Sequence, residues 1–160
     1  VIAVPAILPA CGRLVERTAD AAAVNAVFNH PDVFPMLSLG FEGPLDATPL
    51  IENPRNLCFI GEYGGAVLVW TGPGIYDAHD FILPEGRGRW AKAACRQILD
   101  LAFGAHGARM VWAQTPVENR ACRMFNRILG FKSQGVEDAV LIPGTDPRRV
   151  EIFKMEAPCL

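Results

Sequence analysis

Two side chains able to move a proton stand two residues apart in this chain. Asp77 and His79 lie in the apolar run 75–83, which leads straight into Gly86-Arg87-Gly88-Arg89. An ordinary histidine pKa of roughly 6.5 suits proton removal near neutrality. Strand alternation puts Asp77, His79, Phe81 and Leu83 on one face, with Ala78, Asp80 and Ile82 on the other. Asp77 then flanks His79 and raises its pKa. The plain alternative is a structural histidine beside a surface aspartate. The glycine turn offers a second chemistry. A strand-to-helix turn of this kind presents backbone N–H groups and a positive helix end to an anion, most often a phosphate. Arg87, Arg89, Lys92 and Arg96 cluster around it. That suits a small polyanion, unless the turn is simply a solvated helix start with surface arginines. His30 and His106 fall in turns and receive no role. Cys122 has no basic neighbour in sequence and reads as a buried helical thiol rather than a nucleophile.

The elements that must position these residues follow from pattern and punctuation. Thr18 is placed to cap a helix from Ala19 to about Asn29, ended by His30-Pro31. Residues 31–55 are rich in Pro, Gly and Leu, with one short helix expected near 45–51. Three strands follow at 57–63, 66–71 and 75–83. Gly64-Gly65 is expected to turn the first hairpin and Gly72-Pro73-Gly74 the second. Ala91, Ala94, Cys95, Ile98, Leu101 and Ala102 then recur at helical spacing up to Gly104. Residues 110–114 form a strand of the continuous apolar kind. A helix starts at Glu118-Asn119 and stops at Gly130. Two last strands cover 132–142 and 149–155, and residues 2–8 or 14–17 supply a first one. Strand, helix, strand over 75–115 predicts a parallel neighbour pair. Elsewhere the short turns predict antiparallel pairing. The fold class is α/β (α+β), a mixed, mostly antiparallel sheet with helices on both faces.

The 160 residues, 51% hydrophobic and 20% charged, suit one globular domain spanning 1–160. A net charge of −2 and the lack of a dominant basic stripe argue against nucleic acid as a partner. No apolar run reaches the roughly 20 residues of a membrane span. Val1–Pro9 is apolar but short, without a basic lead or a small-residue cleavage site, and does not read as a signal peptide. Cys11, Cys58, Cys95, Cys122 and Cys159 are scattered, and no pair has metal-ligand spacing. These features predict a reduced, cytoplasmic protein with no metal.

The element order, the turn Arg87-Gly88-Arg89-Trp90-Ala91-Lys92 and the unit running from Asn119 to Leu129-Gly130-Phe131 resemble the GNAT superfamily of N-acetyltransferases over essentially the whole chain. The resemblance implies a splayed central parallel strand pair and acetyl-CoA (coenzyme A) as cofactor. It implies a small-molecule or peptide amine as acceptor, attacking the thioester directly. It places Ile82 and Leu83 beside the pantetheine arm, Arg87, Gly88 and Arg89 at the pyrophosphate, and Asn119 facing the cofactor at a helix start. His79 becomes the catalytic base, with Asp77 behind it. The chain departs from the family pattern at three positions. Trp90 and Lys92 stand where small residues are usual, and Asn126 stands where a tyrosine often protonates the departing thiolate. Residues 29–33, Gly64-Gly65, 76–79 and 83–91 look like a group of short GNAT-like proteins encoded by bacteriophages. That narrower likeness implies an alternative: a catalytically degenerate protein with a head-assembly or virion role, whose groove Trp90 or neighbouring side chains fill. Homodimers, or phage structural proteins, are the macromolecular partners these likenesses imply.

Overall fold

A computed structural model describes residues 12–159. The expected strand at 2–8 lies outside them. Strand β1 (Val15–Arg17) opens the sheet, and α1 (Ala21–Phe28), α2 (Phe34–Ser38) and α3 (Thr48–Glu52) follow. The meander β2 (Leu57–Gly61), β3 (Gly64–Gly72) and β4 (Ile75–Ile82) leads through a 3-10 turn at Pro84–Gly86 into α4 (Arg89–Gly104). Next come β5 (Met110–Pro116), α5 (Arg120–Leu129), β6 (Lys132–Ala139) and β7 (Arg148–Glu156). The sheet order is β1-β2-β3-β4-β5-β7-β6. Every neighbour pair is antiparallel except β4–β5, which is parallel. No helix among the described residues is long and apolar enough to cross a membrane.

Alternation along the strands builds one core on each face. Ala66 and Leu68 of β3 join Phe59, Val111, Phe153 and the α4 residues Ala94, Ile98, Leu99 and Ala102. Val67 faces the other way, with Cys58, Phe81 and the α1 residues Val24 and Phe28. The Phe28 and Phe81 rings meet edge to face at 5.0 Å. Leu99, rather than the expected Leu101, is the fully buried leucine of α4.

Local signals misplace three features. Asp20, not Thr18, caps α1, and its Oδ1 accepts from the Ala23 amide at 3.1 Å. Thr18 instead accepts from the Asp20 amide at 3.0 Å, one step before the helix. The β2–β3 loop is Glu62-Tyr63, and the expected turn pair Gly64-Gly65 lies inside β3. Crowding explains that glycine pair. A Cβ on Gly65 would sit 1.9 Å from the Phe59 carbonyl oxygen, and one on Gly64 would sit 2.0 Å from that of Phe81. The segment 31–55 holds two short helices where one is expected, because asparagine side chains replace absent backbone partners. Asn29 donates to the Leu45 carbonyl at 2.8 Å and accepts from its amide at 2.7 Å. Asn25 accepts from the Ala47 amide at 2.7 Å.

Strand β6 is the outer edge and is almost wholly exposed. Helix α5 buries little apolar surface and is held on β7 by charge instead. Glu151, almost fully buried, accepts from Arg123 Nε at 2.5 Å, from Arg127 and from Ser133 Oγ at 2.6 Å. Burial alone would raise the Glu151 pKa. The Ser133 and Arg123 hydrogen bonds and the two guanidinium charges outweigh it and hold the pKa below its ordinary 4.5. A lowered folded pKa contributes stability that is present above the ordinary value and lost as pH falls through the folded one. Acid unfolding of the wild type should therefore steepen below pH 4.5. Glu151→Ala should lose about 2–3 kcal/mol at neutral pH, at the low end for a broken buried pair because both arginines reach water. Urea titrations of both proteins across acid and neutral pH check this.

Candidate active site

The parallel ladder between β4 and β5 is short. It pairs Ile75 with Met110, Tyr76 with Val111 and Asp77 with Trp112, then stops. Past that point β4 stays on β3 while β5 stays on β7, so the two strands part. The Leu83 amide donates to the Tyr63 carbonyl at 2.9 Å. Antiparallel alternation then turns the odd residues of β4 toward β3 and leaves the backbone groups of Ala78, Asp80 and Ile82 facing the opening. A cavity of about 500 Å³ fills this opening, a size typical of small-molecule sites.

The cavity has two sides. Toward α4 and α5 it is walled by Ala78, Asp80, Ile82, Ala91, Cys95, Thr115, Cys122 and Asn126. Toward α1 and α2 it meets Asp77, His79, Phe81 and Gln114, together with Val33, Met36, Leu37 and Leu39 and, from the β6–β7 connection, residues 140–142. Asp77 and His79 are brought together as expected, with His79 Nε2 3.0 Å from Asp77 Oδ2. A carboxylate only accepts, so Nε2 carries the hydrogen and Nδ1 keeps a free lone pair. Burial in the cavity wall would lower the His79 pKa. The Asp77 hydrogen bond and the charges of Asp77 and Asp80 outweigh that and set it above 6.5.

Gly88 is the residue before the first turn of α4, with φ +93 and no side-chain cap. The first amides of α4 are thus left without a side-chain partner, on the cavity wall at Gly88 and Ala91. Arg87 lines the cavity too, and its guanidinium donates to the Asp32 carbonyl at 2.8 Å, tying this turn to the loop after α1. Arg89 is exposed on the first turn of α4 and is not part of the wall. Ile82 is buried and lines the cavity. Leu83 does not, because its amide is spent on Tyr63, its carbonyl accepts from Gly86, and its side chain packs in the α1-side core. The Leu83 amide is thus engaged within the fold. Asn119 lines the cavity, and its Oδ1 caps α5 by accepting from the Cys122 amide at 3.1 Å.

Trp90 does not fill the groove. Its ring packs edge to face on Tyr63 at 5.3 Å, in room left by two glycines: a Cβ on Gly86 or Gly61 would come within 3.1 Å or 3.0 Å of the indole. The phage-particle alternative expects that ring or neighbouring side chains inside the groove. Asn126 is buried and donates to Thr115 Oγ1 at 3.1 Å. Burial pushes the Cys122 thiol up to about 12, which leaves it unreactive.

Solved structures share this fold. The spermidine N-acetyltransferase from Vibrio cholerae, in complex with CoA and spermine, superposes with a TM-score of 0.69 at 14% identity, over 91% of this chain and 97% of that one. YncA from Salmonella typhimurium, solved with its cofactor acetyl-CoA, gives 0.70 at 15% identity, over 91% and 94%. An acetyltransferase of the GNAT family from Bacillus anthracis gives 0.69 at 15% identity, over 89% and 93%. The fold is the GNAT fold. No family model matches the chain and no curated protein matches it, so the likeness is one of fold.

Sequence reasoning missed Asp80. It leaves the residue on the opposite face from His79 without a role, whereas the structure sets it in the cavity wall. Burial raises its carboxyl above the ordinary 3.8, and its own backbone N–H, His79 and Arg87 offset this only in part. The available signal was a charge on an otherwise apolar strand face shared with Tyr76, Ala78 and Ile82. For the glycine turn, the positive φ predicts that Gly88→Val costs about 1–3 kcal/mol of stability. The same substitution should weaken anion binding at the α4 amides. Thermal melts with and without pyrophosphate read both effects.

Proposed function

We propose that this chain is an N-acetyltransferase that moves the acetyl group of acetyl-CoA to a primary amine by direct attack. The observation that carries the reading is the open β4–β5 splay of a GNAT fold, joined to an uncapped α4 N-terminus, with His79 and Asp77 at its mouth. The neighbours solved with CoA or acetyl-CoA support the same cofactor here.

The residues present fit that group. Nothing stands within 4 Å of where a Gly88 Cβ would be, so backbone can approach a phosphate closely. The first α4 amides would hold the pyrophosphate, with the Arg87 charge beside them. Backbone groups of Ala78, Asp80 and Ile82 would pair with the pantetheine amides as an added strand does. When bound, acetyl-CoA supplies the activated acyl group.

The chain's own work is orientation and proton transfer. His79 takes the proton of the acceptor ammonium at Nδ1, and Asp77 fixes the ring and stabilises the imidazolium through Nε2. Asn126 cannot act as an acid. The second proton of the amine passes to the departing thiolate, whose conjugate acid has an ordinary pKa of roughly 8.5, with no side-chain acid between them.

Calorimetric titration with acetyl-CoA should show saturable binding, and its absence at millimolar cofactor would overturn the reading. Turnover should rise with pH through an inflection above 6.5, since the base acts when neutral and its pKa is raised. Asp77→Asn should move that inflection to lower pH. His79→Ala should lower kcat about 10²–10⁴-fold with little change in acetyl-CoA affinity.

A further inference from the structure

We infer that the acceptor is a monoamine carried on an apolar body, such as an arylalkylamine, and not a polyamine. This rests on the reading of the cavity as an acetyltransferase site and adds the substrate class. The acceptor must approach His79 from the α1–α2 side, because the α4–α5 side leads to the amides proposed for the cofactor. On that side the wall is Val33, Met36, Leu37 and Leu39 opposite Val140, Leu141 and Ile142. Met36 and Val140 are about half exposed, so apolar surface stands open at the mouth.

Negative charge at this mouth is confined to one place. Among the described residues Asp77 is the only acidic group in this part of the wall; the other polar groups are His79, Gln114 and Arg87, whose guanidinium reaches the Asp32 carbonyl beside Val33. Asp77 Oδ1 is buried and has no hydrogen-bond partner among the described residues. Asp77 is engaged with His79, so this wall offers one ammonium a single proton acceptor, His79 Nδ1. The next charges outward are already engaged: Arg148 donates to the Leu39 carbonyl and pairs with Glu118. A polyamine brings further ammonium groups several carbons from the reacting one. Here they would lie along Met36, Leu37 and Val140 and lose water without gaining a carboxylate. An aryl or alkyl body in the same place would instead remove apolar surface from water on both partners. The neighbour solved with spermine therefore shares the fold of this chain but not its acceptor chemistry.

The test measures amine binding directly, so it does not depend on turnover. Calorimetry with 2-phenylethylamine, hexylamine and spermidine, with and without coenzyme A, should rank both monoamines about tenfold or more tighter than spermidine. Equal or tighter binding of spermidine overturns the inference. Met36→Glu and Val140→Glu change exposed positions and leave the proton-transfer pair intact. The double variant should weaken 2-phenylethylamine by about tenfold and strengthen spermidine. Unchanged monoamine binding in that variant, with an unchanged melting temperature, also overturns it. If acetyl-CoA fails to bind while the amine ranking holds, the cofactor reading fails and the acceptor site stands.

Discussion

The parting of β4 from β5 is the constraint on which the rest of the site depends. A parallel pair inside a sheet normally continues as far as both strands do, because each buried backbone group needs a partner. Here the ladder ends at Asp77 and Trp112 while both strands run on. Each is held from its outer side, β4 by β3 and β5 by β7, so neither can close the gap. The inner backbone groups of β4 are left facing a cavity. A molecule with its own amides can complete the pairing. The same separation lets one cavity reach residues on both faces of the sheet, His79 on one and Asp80 on the other.

Packing around the α4 start keeps that path clear. A tryptophan in the first turn of a helix would ordinarily crowd the helix's free amides. In this chain the indole is drawn onto Tyr63, over two positions where only glycine leaves room. Gly61 and Gly86 thus make Trp90 compatible with an open groove. At the second helix the balance is electrostatic. Helix α5 presents mostly polar residues, and the buried Glu151 collects two of its arginines and a serine of β6. The asparagine at 126 is part of this wall, and its buried amide is partnered by Thr115.

Much of the fold was legible because it follows from short-range rules. The 3.6-residue period of α4, the glycine stop at Gly130 and the closely spaced strands each report local geometry. The parallel step between β4 and β5 follows from the intervening helix. The pairing of Asp77 with His79 was legible for the same reason, since two residues apart on a strand means one face. The cap at Asp20, the loop at Glu62-Tyr63 and the asparagine anchors of 31–55 were not. The last two depend on a partner remote in the chain or on backbone crowding between strands, which leaves no periodic trace; at the cap, Thr18 and Asp20 are two good capping residues two positions apart.

By itself the sequence determined most of the elements, their order, the proximity of Asp77 to His79 and a glycine turn beside arginines. Those are properties of neighbours along the chain, set by side-chain alternation and backbone freedom. Only the tertiary structure decided that Trp90 lies outside the groove, that Leu83 has spent its backbone groups, that Asp80 enters the cavity wall and that Glu151 is the hub of α5. Each of these turns on which groups from distant segments share one small volume. The physical cause is that burial and pairing are decided across the sheet, where residues such as Gly65 and Phe59 or Glu151 and Arg123 meet only after the chain has folded.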